Sequence, residues 1–357
     1  MTFAIAAAGT GGHVFPALSV AEALTELGAA PDEIVFIGGD RFEAEAVPAA
    51  GFAFKGYRLA RLQRLLSPQT LRIPFVVRRT AAAMTDDLKA AGTRVVLGMS
   101  GYVTIPAVLA AGRARIPFFL QEQNAIPGRA ARFAARRAAA TFLGLPGRAG
   151  RLPRSELVGN PLRPAIAAGG SGVVRAEARR RYGVDGAASV LGILGGSLGA
   201  RVLNEAAGGL ARSSGAGAVV HLTGPEAFDE MSRVAGRAGL PWRCWPFEAE
   251  MENFYAAVDL VVCRAGAMTV SELAATGTPA VLVPLERVGQ EWNARALVVA
   301  GGAVMVPQRE AARLPGVVRD LIASPARLAR MSEAARSEAR PDAAVVIARR
   351  LMESADG

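Results

Sequence analysis

Three short glycine turns in this chain stand where an apolar run ends and a helical pattern begins, an arrangement suited to holding an anion. The richest is Arg264-Ala265-Gly266, which follows the apolar run Asp259 to Cys263 and precedes Ala267-Met268-Thr269-Val270-Ser271-Glu272. The first N–H groups of a helix have no partner within it and lie at the positive end of its dipole, so a phosphate can be held there without a metal. Arg264 adds charge beside that spot. Glu272, on the second helical turn, is placed to accept from both hydroxyls of a ribose, and Gln290 with Asn293, beyond the run Ala280 to Pro284, is placed to hold a sugar. The same letters allow a plainer role: Thr269-x-x-Glu272 spells a capping box, in which the glutamate serves its own helix. The other turns tip the balance toward a ligand. Gly195-Gly196-Ser197-Leu198-Gly199 follows the run Ser189 to Leu194, and Gly9-Thr10-Gly11-Gly12-His13 follows Phe3 to Ala8.

The elements that must position these turns alternate along the chain. Strands are predicted at 2–8, 33–37, 94–98, 117–121 and 140–143, with helices near 16–27, 41–50, 79–91, 104–112 and 128–138. The rhythm repeats with strands near 189–194, 217–222, 242–246, 259–263, 280–283 and 303–306. Such alternation implies an α/β fold with parallel sheets, right-handed crossovers and ligands beyond the carboxyl ends of the strands. A length of 357 residues exceeds what one core usually organises, so two domains are expected. The boundary is expected after Gly159-Asn160-Pro161-Leu162-Arg163, because Pro164 to Gly172 is rich in Ala and Gly without periodicity. This divides the chain into 1–163 and 164–340, with 341–357 as a final helix able to pack back on the first domain.

Composition narrows the function. Hydrophobic residues make up 51% of the chain and aromatics 6%, enough for large cores of Ala, Val and Leu. The net charge of +10 suggests nucleic acid at first sight, yet only Lys55 and Lys89 among the 41 basic residues are lysines. Arginine spread over the whole length makes no binding stripe, so no nucleic-acid partner is expected. Cys244, Cys263, His13 and His221 show no metal spacing, and no Asp-x-Asp pair stands ready for a divalent ion. Neither a metal nor another cofactor is expected. The amino terminus lacks a positive n-region, and no run of about 20 apolar residues exists to span a bilayer. A cytoplasmic location follows as an expectation.

One segment qualifies it. From Leu59 to Arg79 there are five arginines and no carboxylate, interleaved with apolar residues that include Leu71 and Phe75. Such a surface suits an anionic bilayer, and the plainer reading is a helix with a solvated basic face.

Six motifs in register carry a resemblance: Ala8 to Ala17, Gly101-Tyr102-Val103, Glu122-Gln123-Asn124, Gly159 to Arg163, Gly195 to Ala200 and Cys263 to Glu272. Together they resemble the bacterial N-acetylglucosaminyltransferases of peptidoglycan synthesis, which convert lipid I to lipid II with UDP-GlcNAc. The resemblance implies a metal-independent, inverting GT-B enzyme, with two Rossmann-like parallel-sheet domains facing a central cleft. The second domain would hold the donor. Ser197 with the amides around it and the helix start at Ala267, Met268 and Thr269 would meet the diphosphate, Glu272 the ribose, and Phe247 with the backbone of Glu248 the uracil, while Arg264, Val270 and Ser271 would belong to the same substrate site. Arg163, Asn124 and Gln290 would reach the diphosphate or the sugar hydroxyls. The first domain would take lipid I, with Thr10, Gly11 and Gly12 facing its diphosphate and Leu71 and Phe75 in a patch that docks on the anionic cytoplasmic face of the inner membrane. Cell shape and cell division would depend on such an enzyme, and other cell-wall synthesis proteins are implied as partners.

A sugar hydroxyl is a poor nucleophile, so a base should take the proton from muramoyl C4 as it attacks the anomeric carbon. His13 is the leading candidate, because a helix N-terminus keeps an imidazole neutral; Glu122 is the reserve. The alternative for His13 is a donor that braces the glycine turn. Departures from the family pattern include Ala8, Ser100 and Ile105 at glycine positions, Gln121 at a histidine position and Leu198 at a glutamine position. Other readings are a related GT-B enzyme such as a lipid sugar transferase or a UDP-GlcNAc 2-epimerase, and a non-catalytic nucleotide-sugar binding module. A nicotinamide dehydrogenase would need glycine where Val14 stands.

Overall fold

The computed structural model describes residues 2–9, 11–59, 73–170, 173–286 and 288–357. It divides into two compact units, Met1–Arg163 with Asp342–Gly357, and Pro164–Pro341.

In the first unit the strands are β1 (Phe3–Ala6), β2 (Ile34–Gly38), β3 (Ala53–Gly56), β4 (Val95–Gly98), β5 (Phe118–Glu122), β6 (Ala140–Leu143) and β7 (Ser155–Leu157). Helices α1 (Gly11–Glu26), α2 (Phe42–Ala49), α3 (Ile73–Ala90), α4 (Thr104–Ala114) and α5 (Arg129–Ala135) connect them. All strands pair in parallel, in the order β3-β2-β1-β4-β5-β6-β7. Strands covered on both faces read as unbroken apolar runs, which is why β1 is fully buried along its length.

The second unit holds the short helix α6 (Pro164–Ala167), α7 (Arg175–Arg181), β8 (Val190–Leu194), α8 (Arg201–Ser213), β9 (Ala218–Leu222), α9 (Phe228–Ala235) and β10 (Trp242–Trp245). These are followed by α10 (Met251–Ala257), β11 (Leu260–Cys263), α11 (Ala267–Thr276), β12 (Ala280–Leu282), α12 (Gln290–Ala300), β13 (Ala303–Met305), α13 (Leu314–Ile322) and α14 (Pro325–Arg336). The sheet is again parallel, in the order β10-β9-β8-β11-β12-β13. The last helix, α15 (Ala343–Asp356), belongs to the first unit: its Ile347 and Leu351 share one core with Val20 and Leu24 of α1. Burying two such side chains contributes about 1.5–3 kcal/mol each.

In both sheets the strand order reverses beside the first strand, between β1 and β4 and between β8 and β11. The loops leaving those neighbours run to opposite sides, which opens a crevice at the carboxyl ends. The glycine turns after β1, β8 and β11 all stand there.

Some elements differ from expectation. Helix α1 starts at Gly11 rather than Pro16, because first-turn N–H groups need no helical partner and glycine is tolerated there; Pro16 lies inside the helix. Helix α3 starts at Ile73 and so includes Phe75. The edge strands β3 and β7 were not foreseen, since Ala-Phe-Lys-Gly and Ser-Glu-Leu are too short and polar to show a period. Thr10, Leu71 and the rest of the basic segment from 60 to 72 lie outside the described residues.

Candidate active site

In the first unit, His13 lies on the opening turn of α1, half-buried, with its Nδ1 enclosed. Its ring borders the turn after β4: a Cβ added to Gly101 would lie 3.6 Å from Nε2. Burial pulls the imidazole below its ordinary value, against contacts with the Gln123 side chain and the Met99 backbone that favour the charged form. The ring is therefore neutral, able to accept a proton. Gly11 and Gly12 belong to the same helical turn. Beneath the turn sits Glu43, fully buried, whose carboxylate accepts from Gly9 N at 3.1 Å and Gly39 N at 3.0 Å. It ties the loops after β1 and β2 together.

Glu122 ends β5, and its carboxylate is occupied. Oε1 accepts from Asn124 N at 2.9 Å and Asn124 Nδ2 at 3.2 Å, while Oε2 lies 3.2 Å from the Ser100 hydroxyl and 3.4 Å from Gly128 N. Burial raises its pKa and those bonds oppose the rise, so the group holds Asn124 and the loop behind it in place. Ser100, at a family glycine position, has φ 55. A left-handed non-glycine residue costs roughly 1–2 kcal/mol, and its hydroxyl, donating between Gln121 O at 3.0 Å and Glu122, offsets part of that. Gln121, at the histidine position, donates to buried Asn160 Oδ1 at 3.0 Å. Arg163 places its guanidinium 5.3 Å from the Phe15 ring, on the same helix as His13.

In the second unit, the turn after β8 folds tightly on itself. A Cβ at Gly195 would meet Ala200 N at 2.2 Å, and one at Gly199 would meet Thr223 O at 2.2 Å, so only glycine fits at either place. Ser197 is exposed on the turn and Leu198 stands 79% exposed beside it. After β11, Gly266 is the N-cap of α11 and has no side chain to cap the first turn. That disposes of the capping box: Thr269 is the third helical residue rather than the cap, and Glu272 Oε2 accepts instead from the Tyr255 hydroxyl at 2.8 Å. Ala267 and Val270 are buried, whereas Met268, Thr269, Ser271 and Glu272 are partly accessible.

Arg264 donates to Val283 O at 3.1 Å, which fixes its guanidinium over the end of β12. Asn293 is buried and donates to Ala265 O at 3.2 Å, bracing the turn before α11. Gln290 Oε1 accepts from Leu285 N at 2.8 Å. Phe247 is 45% exposed, and the neighbouring Glu248 carboxylate is buried, accepting from Tyr182 Oη at 2.6 Å, Arg181 at 3.2 Å and Glu250 N at 2.9 Å. The Glu248 side chain thus anchors its loop.

Comparison with known proteins decides the family. The glycosyltransferase family 28 N-terminal domain matches residues 3–143 and its C-terminal domain residues 190–347. A "UDP-N-acetylglucosamine--N-acetylmuramyl-(pentapeptide) pyrophosphoryl-undecaprenol N-acetylglucosamine transferase" from Halorhodospira halophila is 42% identical, covering 96% of this chain and 95% of its own. One of the same name from Alkalilimnicola ehrlichii is 39% identical, with 99% of both chains covered. The chain belongs to this glycosyltransferase family.

Solved structures agree on the fold. MurG of Acinetobacter baumannii matches with a TM-score of 0.75 at 26% identity, over 99% of this chain and 100% of that one. The UDP-GlcNAc 2-epimerase of Neisseria meningitidis matches with a TM-score of 0.70 at 13% identity, over 99% and 100%, a likeness of fold. The architecture is thus GT-B, two parallel-sheet α/β domains.

Sequence reasoning passed over Glu43, Arg181, Tyr182 and Tyr255. A signal for the tyrosines existed in their scarcity. The chain has 4, and Tyr57, Tyr182 and Tyr255 each donate to a carboxylate, at 2.7, 2.6 and 2.8 Å. Glu43 gave no such sign, since its partners are backbone amides.

Proposed function

We propose that this protein transfers GlcNAc from UDP-GlcNAc to the C4 hydroxyl of undecaprenyl-diphospho-muramoyl-pentapeptide, lipid I, giving lipid II for the cell wall. The observation that carries the reading is similarity along the whole chain, 39% to 42% identical, to relatives named for this transfer. The second unit supplies the donor site. Ser197, Arg264 and the first turn of α11 face the diphosphate, Glu272 accepts from the ribose, Phe247 and the Glu248 backbone receive uracil, and the Gln290 amide nitrogen meets the sugar. Charge building on departing UDP is met by fixed N–H dipoles, which need no reorganisation as it forms.

The first unit supplies the acceptor site and the base. His13, kept neutral by burial, takes the C4 proton while the oxygen attacks the anomeric carbon and UDP leaves from the opposite side. Glu122, with its lone pairs taken by Asn124, Ser100 and Gly128, acts as a positioning group for that loop rather than as the base. Arg163 and Asn124 attend the phosphates or sugar hydroxyls.

The protein works on the cytoplasmic face of the membrane as a peripheral protein. Support comes from Phe75, 69% exposed on α3, which lines one surface groove with Arg78, Arg79 and Arg113 against the single carboxylate Asp86. Among the described residues no helix is long and apolar enough to cross a bilayer.

Incubation with UDP-GlcNAc and a lipid I analogue tests the transfer: UDP release should depend on acceptor and yield a disaccharide lipid. Release no higher than the acceptor-free background would overturn the reading, and epimerisation without acceptor would favour the epimerase alternative. Exchanging Leu71 and Phe75 for glutamate should abolish binding to anionic vesicles and leave UDP affinity intact.

A further inference from the structure

We propose that His221 is a positioning residue for the donor diphosphate: acting through Asn204, its ring N–H locks the floor on which the glycine turn after β8 rests. The inference rests on the donor reading above, in which that turn holds the diphosphate, and adds to it a residue the reading does not use.

The turn after β8 sits directly on the turn after β9, backbone against backbone. A Cβ at Gly199 would lie 2.2 Å from Thr223 O, and one at Gly224 would lie 2.6 Å from both Gly199 N and Leu198 O. The buried Thr223 carbonyl is therefore the surface that sets where the first turn stands. It accepts from Asn204 Nδ2 at 3.1 Å, a side chain of α8, the helix into which the first turn leads. Backbone N–H groups hold a phosphate well only when they already point at it, and a shift of about 0.5 Å is enough to loosen such a site.

The amide torsion of an asparagine is broad and roughly two-fold, so the Asn204 side chain does not by itself prefer this orientation. His221 supplies the preference. From β9, its Nε2 lies 3.0 Å from Asn204 Oδ1. Because the Thr223 carbonyl can only accept, Nδ2 must face it, Oδ1 must face the ring, and the Nε2 proton must lie between them. A reversed amide would set oxygen against oxygen at Thr223 and N–H against N–H at the ring.

The imidazole is suited to this task because its protonation state is fixed. It is fully buried and stacked on Trp242 with centroids 6.0 Å apart, and burial holds its pKa down to about 3. A neutral ring carries one proton, and with that proton on Nε2 the enclosed Nδ1 keeps only its lone pair. The rest of β9 is Ala218, Val219, Val220 and Leu222, so an apolar side chain would serve for packing alone. What the histidine adds is the N–H.

The test compares His221→Leu, His221→Gln, Gly195→Ala and the parent protein in equilibrium titrations with UDP and with uridine, which lacks the phosphates. In His221→Leu, UDP should bind about tenfold more weakly, the scale of one buried hydrogen bond, while uridine binds as before. In His221→Gln, whose amide can donate from near the place of Nε2, UDP affinity should return to the parental value. A thermal unfolding scan of each variant checks the fold. Nitrogen-15 spectra of the parent imidazoles need no folded variant at position 221: His221, told apart from the other histidine with His13→Ala, should be neutral with its proton on Nε2. A proton on Nδ1, or a ring that titrates near 6.5, would overturn the proposal. So would equal weakening of both ligands in His221→Leu, which would reduce His221 to packing, or a His221→Gln no better than His221→Leu. If His221→Leu keeps the parental ratio of UDP to uridine affinity while Gly195→Ala collapses it, the positioning role falls and the diphosphate turn stands. A parental ratio in Gly195→Ala as well would overturn the diphosphate turn itself.

Discussion

The turn after β1 and the turn after β8 occupy equivalent places, each following the strand at which a parallel sheet reverses its order. They are furnished from different materials. Around the first stand side chains that can move or bind a proton: His13 on α1, Glu43 under Gly9, and Ser100 with Glu122 at the ends of β4 and β5. Around the second the turn is mostly backbone, from Gly195 to Gly199 and again at Gly266. The nearby carboxylates, Glu248 and Glu272, are steadied by phenols. Fold position determines where a small anion or sugar can sit. What the turns carry differs: titratable side chains surround the first and backbone groups the second.

Substitutions at equivalent places can break this comparison or sharpen it. The largest effect is expected at His13. His13→Ala should lower kcat for GlcNAc transfer about 10²–10⁴-fold, the usual worth of a general base, with the KM for UDP-GlcNAc nearly unchanged. A raised KM at parental kcat would make the first turn a binding device like the second. Next comes Glu43→Leu, which strands the Gly9 and Gly39 N–H groups in the interior. Each buried orphan costs about 1–3 kcal/mol, so the two together should lower the stability measured by urea unfolding by about twice that. An unmoved midpoint would mean that the first turn holds its shape without Glu43.

Gly195→Ala tests the second turn, where the new methyl would press on Ala200 N. Overpacking of this kind costs roughly 1–3 kcal/mol, so UDP affinity should drop about tenfold or more, and an unchanged dissociation constant would locate the diphosphate elsewhere. The smallest effect is in pH. A lowered imidazole pKa keeps His13 neutral further into acid, so kcat/KM should stay level through 6.5 and fall only as the pH passes below that ordinary value. An acid limb centred above 6.5 would argue against His13 as the base.

Much of the scaffold was legible in the sequence, for a definite reason. Strands such as Phe3–Ala6 and Val190–Leu194 are covered on both faces, so their burial is written as short apolar runs, and the turns after them are written as glycine. The edge strands β3 and β7 bury little and left no such trace. At the site, the residues themselves could be named, but their present roles could not. Thr269-x-x-Glu272 fits a capping box as well as a ribose ligand, and the choice depends on Gly266 being the cap and on Tyr255, 17 residues away in sequence. Glu122 reads as a reserve base, and only the structure shows that Asn124, Ser100 and Gly128 already donate to it.

By itself, then, the chain's order of residues determined the strand–turn–helix rhythm, the two-sheet class and the places where a phosphate could be cradled, because periodicity and glycine act over a few neighbouring residues. Assembly of the sheets decided which carboxylates are already engaged, that the imidazole is neutral, and that α15 closes over α1. Those outcomes depend on desolvation and on hydrogen-bond partners 34 or 66 residues apart, such as Gly9 with Glu43 and Tyr182 with Glu248, which meet only when the fold brings them together.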